Sequence, residues 1–317
     1  MLRTGLTERF SLSVPIVSAP MAGVAGGRLA AAVSAAGGLG MIGVGSTSPA
    51  EKILAEAEIA RKAGGRFGIG LMAWALPGVP GQFDATVSAA PDLVSVSFGD
   101  YQPWANRLHE AGIAVATQVG DVQSARSAAA HGVDLIVARG AEAGGHGHDR
   151  AGTLPLLQAV LDAVDVPVLA AGGIATARGL AAVLAAGAAG AWLGTALMAS
   201  TEAATSPAAR QRLLAADETS TIYTRVFDIA QHIAWPPEYG GRALANEFTR
   251  SWAGREEELA ADETASTQLA AARERQDYQV AGIYAGQGVG MVTRQRPAGE
   301  VVAGLAAGAE ELLRRWA

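Results

Sequence analysis

The sequence predicts a (β/α)8 barrel with a helical segment inserted after the eighth strand. Eight short apolar runs recur within the first two hundred residues, and stretches of helical character separate them. The runs are continuous rather than alternating, as expected for parallel strands that are buried on both faces. Eight strand–helix repeats fit such a barrel. An open doubly wound sheet is the alternative, but the first strand-to-helix turn carries no G-x-G-x-x-G fingerprint.

The eight expected strands follow one another at short intervals. They are 14–20 (VPIVSAP), 39–45 (LGMIGVG), 66–73 (RFGIGLMA), 93–99 (LVSVSFG), 114–120 (AVATQVG), 135–140 (LIVARG), 167–173 (PVLAAGG) and 190–196 (GAWLGTA). Glycine adopts the left-handed conformation at helix C-termini without steric cost. Helices are therefore expected to end at Gly37, Gly64, Gly112, Gly132 and Gly187. Capping residue types predict helix starts at Ser48, Asp121 and Thr176.

The pattern changes after residue 200. Residues 201–280 are polar and helix-prone, and they predict a mostly helical insertion that caps a barrel formed by residues 1–200. Residues 281–317 begin with AGIYAGQGVGMV and end in an amphipathic stretch. We expect them to return to the barrel and to pack a C-terminal helix against it.

Composition excludes several functional classes. Net charge is −6 and Lys and Arg do not cluster, so a nucleic-acid surface is not expected. No apolar run reaches the ~20 residues of a membrane span, and no signal-type segment opens the chain, which favours a cytoplasmic protein without a membrane partner. The absence of cysteine excludes disulfides, thiolate metal sites and cysteine nucleophiles, and no metal-ligand spacing is present. The oligomeric state stays open, a homodimer included.

Two glycine-containing bends are candidate phosphate sites. One follows the seventh strand at Ala171, Gly172 and Gly173, and the other follows the eighth at Gly194 and Thr195. Backbone N–H groups at such bends bind anions, and barrels often hold phosphate at this position. The alternative is that the glycines only turn the chain, but two bends on neighbouring strands favour phosphate.

The loop GAEAGGHG after the sixth strand contains the main chemical candidate. Gly144 and Gly145 allow backbone to approach a flat ring, and His146 then projects toward it. An imidazole titrates near ~6.5, so His146 can donate or accept a proton, although a hydrogen bond within the loop is the competing interpretation. His148 is expected in solvent, and His232, in FDIAQHIAWPP, is expected to pack. Pro20 and Met21 suit an aromatic ring, with ordinary core as the alternative.

Four segments of the sequence together resemble the nitronate monooxygenase family and the related FMN-dependent enoyl-ACP reductases and NADH:quinone reductases. They are PIVSAPMAGVAGGRLAAAVSAAGGLGMIG, GAEAGGHG, PVLAAGGIATARGLAAVLAAGAAGAWLGTALMAS and AGQGVG. The resemblance implies FMN in the barrel and His146 as the active-site histidine. The positions that it implies for FMN are Ala19, Pro20, Met21, Gly70, Gln118, Arg139, Gly144, Gly145, Ala171, Gly172, Gly173, Trp192, Leu193, Gly194 and Thr195.

Three of these positions depart from relatives. Gly70 stands where asparagine is common, Gln118 where some quinone reductases have lysine, and Arg139 where many members have glutamine. The resemblance implies oxidation of a small alkyl nitronate by O2 to a carbonyl compound and nitrite. The alternative is NAD(P)H-dependent reduction of an enoyl thioester or a quinone at the same FMN site. A third interpretation is a barrel that binds the ligand without catalysis.

Overall fold

The computed structural model describes residues 2–62 and 65–315, and it contains eleven strands among them. These are β1 Ile16–Ser18, β2 Gly40–Gly43, β3 Phe67–Met72, β4 Leu93–Ser97, β5 Ala114–Val119, β6 Leu135–Arg139, β7 Gly145–Gly147, β8 Val168–Ala171, β9 Gly190–Leu193, β10 Thr221–Thr224 and β11 Gly240–Leu244. Eight of them form one parallel sheet in the order β1-β9-β8-β6-β5-β4-β3-β2.

The two edges of this sheet meet. The backbone N–H of Ser18 donates to the carbonyl of Leu39 at 3.0 Å, and the N–H of Leu39 donates to the carbonyl of Ile16 at 3.0 Å. These bonds join β1 to the start of β2, so the sheet closes into the predicted (β/α)8 barrel. The continuous apolar runs of the sequence are its strands, because their side chains are buried both inside the barrel and under the helices.

Helices surround the barrel and form most of the added segment. They are α1 Gly5–Phe10, α2 Gly27–Ala35, α3 Ala50–Lys62, α4 Gln82–Ser88, α5 Gln102–Glu110, α6 Val122–Ala130, α7 Thr153–Leu161, α8 Ala177–Ala185, α9 Thr195–Met198, α10 Pro207–Leu214, α11 Val226–Ala230, α12 Glu247–Trp252, α13 Glu256–Ala260, α14 Glu263–Glu274 and α15 Ala298–Arg314. Within the described ranges, no helix combines the length and apolar character needed to cross a membrane.

The expected helix ends are largely confirmed. Four of the predicted C-terminal glycines have positive φ, at 88°, 74°, 74° and 102° for Gly37, Gly112, Gly132 and Gly187. Gly64 lies outside the described residues. Asp121 and Thr176 cap α6 and α8 through their side chains. Ser48 differs from the prediction, because its hydroxyl accepts from the N–H of Gly45 at 3.0 Å, on the loop before α3.

The C-terminal helix packs on the barrel. Its apolar face, which includes Val301, Val302 and Leu305, is buried in the same core as α2 and α8. A Cβ at Gly308 would lie 2.7 Å from the Cβ of Ala177, so α15 and α8 approach very closely. This helix follows the added segment and occupies the place of the barrel's eighth helix.

The added segment contains strands as well as helices, which the sequence interpretation left out. Strands β10, β11 and β7 form a separate antiparallel sheet, in which Gly241 pairs with His146. The Tyr223 hydroxyl donates to the carbonyl of Gly147 and accepts from the N–H of Gly240, both at 2.8 Å. A Cβ at Gly240 would lie 2.7 Å from the Tyr223 ring, so only glycine fits there. The glycine–histidine loop is therefore one strand of this sheet.

Candidate active site

A cavity of about 730 Å³ opens at the carboxyl ends of the barrel strands, beneath the added segment. We call it the main cavity. All but one of the residues that the sequence analysis placed at an FMN site border it, and so does His146. They are Ala19, Pro20, Met21, Gly70, Gln118, Arg139, Gly144, Gly145, Ala171, Gly172, Gly173, Trp192, Gly194 and Thr195. The two bends and the imidazole therefore face one space.

The two bends lie next to each other, and a third glycine-rich segment joins them. Gly172 and Gly173 have φ values of 118° and 68°, which favour glycine. The N–H of Gly286, in AGQGVG, donates to the Thr195 hydroxyl at 2.9 Å. A Cβ at Gly288 would lie 3.5 Å from the backbone of Gly173. Three glycine-containing backbone segments thus meet at the main cavity, and backbone N–H groups at such bends can bind a phosphate.

The loop after β1, which contains Pro20, accounts for a glycine rather than an asparagine at position 70. A Cβ on Gly70 would lie 2.3 Å from the Cβ of Pro20, so an asparagine would collide with the proline. The side chain of Leu193 is fully buried in the core and does not border the cavity, so the assignment of this residue to the FMN site, which concerns its backbone, stays a prediction. Its carbonyl instead accepts from the N–H of Ala19 at 2.8 Å. Leu193 therefore positions the first loop.

The guanidinium of Arg139 contacts backbone carbonyl groups of the loop that follows β6. Its Nη2 donates to the carbonyls of Ala143, Gly144 and Gly145 at 3.1, 3.2 and 2.7 Å. Arg139, Gln118 and Phe98 also border a second cavity of about 330 Å³, which we call the side chamber. The remaining walls of the side chamber include Tyr101, Gln123, Ser127, His148 and Tyr239.

His146 belongs to a buried group of interacting side chains. Its Nε2 lies 3.0 and 2.9 Å from the two carboxylate oxygens of Asp228, and the side chains are 10% and 3% exposed. The Tyr284 hydroxyl donates to Asp228 Oδ1 at 3.0 Å. Burial and the charge of Asp228 raise the pKa of Tyr284 well above its usual value, so this hydroxyl keeps its proton. The Trp235 ring stacks on the imidazole at 3.7 Å and 6°.

This arrangement limits what His146 can do. An ionised carboxylate only accepts hydrogen bonds, so Nε2 carries the proton that it shares with Asp228. The other nitrogen, Nδ1, is then the atom that can act on a ligand, as an acceptor when the ring is neutral and as a donor when it is charged. The arrangement can therefore supply or remove a proton, or donate a hydrogen bond to an anion.

Comparison with known proteins identifies the family of the chain. The family model for nitronate monooxygenase matches residues 73–308. The chain belongs to the nitronate monooxygenase family. It is 32% identical to the nitronate monooxygenase of Paraburkholderia phytofirmans over 96% of this chain and 94% of that protein. It is an oxidoreductase, as that membership implies.

Other relatives carry different names. A (3aS,4S,5R,7aS)-5-hydroxy-7a-methyl-1-oxo-octahydro-1H-indene-4-carboxyl-CoA dehydrogenase of Rhodococcus jostii is 35% identical over 73% of this chain, and the match spans only 65% of that relative. FabK from Thermotoga maritima superposes with a TM-score of 0.87 at 26% identity, over 100% of this chain and 99% of that one. The nitroalkane oxidase of Streptomyces ansochromogenes superposes with a TM-score of 0.83 at 32% identity, over 98% and 99%.

Sequence reasoning missed three residues of the candidate site, namely Asp228, Trp235 and Tyr284. The first two lie in FDIAQHIAWPP. The expectation that His232 of this segment packs is wrong, because its side chain is exposed, and it does not border the cavity. Tyr284 precedes AGQGVG by one residue, so a polar side chain next to a recognised motif was the available signal. His148 was expected in solvent, but it is half-buried against Tyr239, with ring centroids 4.9 Å apart.

Proposed function

We infer that this oxidoreductase binds FMN in the main cavity and uses O2 to oxidise small alkyl nitronates to a carbonyl compound and nitrite. One observation carries the proposal. The two glycine bends and the paired imidazole of His146 border the same cavity, so a phosphate group and a reacting centre could belong to one bound molecule. The full-length similarity to proteins named nitronate monooxygenase and nitroalkane oxidase supports this choice of substrate class.

The residues present fit FMN. A volume of about 730 Å³ lies in the usual range for cofactor sites. Backbone N–H groups of Gly173 and Thr195 would hold the phosphate, because both residues stand at glycine-containing bends that border the cavity. Pro20 and Met21 offer an apolar surface to a flat ring. When bound, FMN supplies the electron acceptor that amino-acid side chains cannot provide.

His146 would orient the substrate and manage its charge. A nitronate is an anion, so a charged imidazole that donates from Nδ1 would stabilise a nitronate oxygen, while Asp228 balances the imidazolium. With a neutral nitroalkane, the neutral ring would instead take the α-proton at Nδ1. In both cases Asp228 and the stacked Trp235 fix the orientation of the ring, so that Nδ1 does not turn away.

The test is nitrite production under air. FMN-loaded protein is mixed with propionate 3-nitronate, and nitrite and O2 uptake are followed together. We expect turnover that falls by about 10²–10⁴-fold in His146→Asn, the usual contribution of a positioned acid or base. His148→Asn is the matched control, since it removes an imidazole two residues away and should keep turnover. Absence of nitrite from FMN-loaded wild-type protein at any concentration would exclude the nitronate activity.

An NAD(P)H-dependent reaction at the same site is the second candidate. The relatives named as carboxyl-CoA dehydrogenases and the extensive superposition on FabK favour it. The discriminating measurement is anaerobic mixing of the FMN-loaded protein with NADH or NADPH. Rapid loss of the flavin colour would support this candidate over nitronate oxidation, whereas no loss with either donor would exclude it.

A further inference from the structure

Arg139 is a buried cation without an anionic partner. The residue is only 5% exposed, and its Nη2 bonds are all to neutral carbonyl oxygens. It forms no ion pair with a carboxylate in the part of the chain that the structure describes, and Asp149, the acidic residue that attracts it, is paired with Arg242 at 2.9 Å. Burial lowers the pKa of Arg139 to about 10, so the guanidinium stays charged at neutral pH.

A buried ion that lacks a counter-ion is costly. Removing an ion from water carries a large desolvation penalty, and hydrogen bonds to neutral groups offset only part of it. A neutral glutamine amide could also donate to the carbonyls of this loop without burying a charge. The charge of Arg139 is therefore unexplained by the loop alone, and the spaces that it borders are the main cavity and the side chamber.

The other charged groups of the main cavity do not supply a comparable positive charge. Glu142 accepts from the N–H and hydroxyl of Thr153 at 2.8 and 2.9 Å. Any charge on His146 is balanced by Asp228. Arg273 is exposed to solvent, so its field is screened. Arg139 is thus the uncompensated buried positive charge in the described wall of the cavity.

We propose that Arg139 offsets the negative charge that the FMN ring acquires on reduction, and so makes the bound ring easier to reduce. This inference rests on FMN binding in the main cavity. Uptake of two electrons and one proton leaves the ring with one additional negative charge. In a buried environment a cation acts on such a charge over several ångströms, because the effective dielectric constant is low. The effect requires only that the ring lie in the cavity that Arg139 borders.

The guanidinium is also held in place. A Cβ at Gly147 would lie 2.2 Å from Nη1 of Arg139, so the strand β7 passes directly over it. The carbonyls of Ala143, Gly144 and Gly145 fix it from one side. A charge that cannot move toward solvent keeps its full effect on the cavity.

Sulfite affinity and the midpoint potential test the proposal without turnover. Sulfite uses its sulfur lone pair to form a bond to a nitrogen of the oxidised ring, no group leaves, and the ring takes up the negative charge. We compare FMN-loaded wild-type protein with Arg139→Gln and Arg139→Lys. Arg139→Gln should bind sulfite about tenfold more weakly, and the same factor for a two-electron couple corresponds to a potential about 30 mV lower. Arg139→Lys, which keeps the charge, should lie closer to wild type on both measurements.

The outcomes separate this proposal from the proposed function. If Arg139→Gln retains FMN with unchanged sulfite affinity and potential, Arg139 only holds the loop, and the proposal is overturned while FMN binding stands. If the wild-type chain binds no FMN, both fail. Should Arg139→Gln not fold, wild-type protein still decides the matter, because its FMN must bind sulfite more tightly than free FMN does. Equal or weaker binding contradicts the proposal.

Discussion

Replacement of Asp228 by asparagine is the sharpest test of the paired imidazole. Asp228 accepts from His146 Nε2 at 2.9 Å and from the Tyr284 hydroxyl at 3.0 Å. Hydrogen bonds to charged groups contribute about 1.5–3 kcal/mol each. Asparagine keeps the shape and one acceptor oxygen but loses the charge that balances an imidazolium. We therefore expect one such contribution to disappear from the reacting complex.

That loss sets the expected size of the effect. Each 1.36 kcal/mol is a factor of ten in rate, so kcat/KM for a nitronate should fall about 10- to 100-fold in Asp228→Asn. Nitrite formation under air is the assay, with FMN content measured on the same samples. Tyr284→Phe removes only one of the two hydrogen bonds and leaves the charge, so its loss should be smaller. An Asp228→Asn protein with full FMN content and unchanged kcat/KM would show that the carboxylate does not support His146.

Three further predictions follow from the geometry. Gly70→Asn should lower Tm, because its Cβ would lie 2.3 Å from Pro20; an unchanged melting curve would contradict this packing. Gly173→Ala, at φ 68°, should raise the FMN dissociation constant measured by fluorescence quenching, while circular dichroism stays native; equal affinity would argue against a phosphate at this bend. Burial lowers the pKa of His148, so the folded state binds a proton at this residue less readily than the unfolded state does. The free energy of unfolding should therefore fall as the pH drops below the pKa of histidine in the unfolded state, about 6.5. In urea titrations at several pH values, His148→Gln should reduce this fall in the free energy of unfolding. An identical pH profile in the variant would refute a lowered pKa of His148.

The barrel could be predicted because its signals are local. Each strand is a short apolar run, and glycines such as Gly112 and Gly187 end helices through a conformation that other residues rarely adopt. The bends at Gly172 and Gly194 could be placed together for a related reason. The carboxyl ends of neighbouring parallel strands always lie at the same end of a barrel, so adjacency in strand order implies adjacency in space.

The partners of His146 could not be predicted in the same way. Asp228 is 82 residues from His146 along the chain, and a single acidic residue in a short helix has no distinguishing spacing. His146 is brought under the added segment because β7 pairs with β11, and that pairing uses Gly240 and Gly241, a Gly-Gly pair of the kind that usually marks a turn. The contacts of Arg139 could not be predicted either, because they are made to backbone carbonyls, which carry no sequence signal, rather than to side chains.

A crystal structure of the protein with FMN tests the central claim most directly. The account predicts the phosphate within hydrogen-bond distance of the backbone N–H groups of Gly173 and Thr195, the ring in the main cavity, and Nδ1 of His146 facing the space next to it. FMN bound elsewhere, or an imidazole that presents no nitrogen to the ligand, would contradict the account.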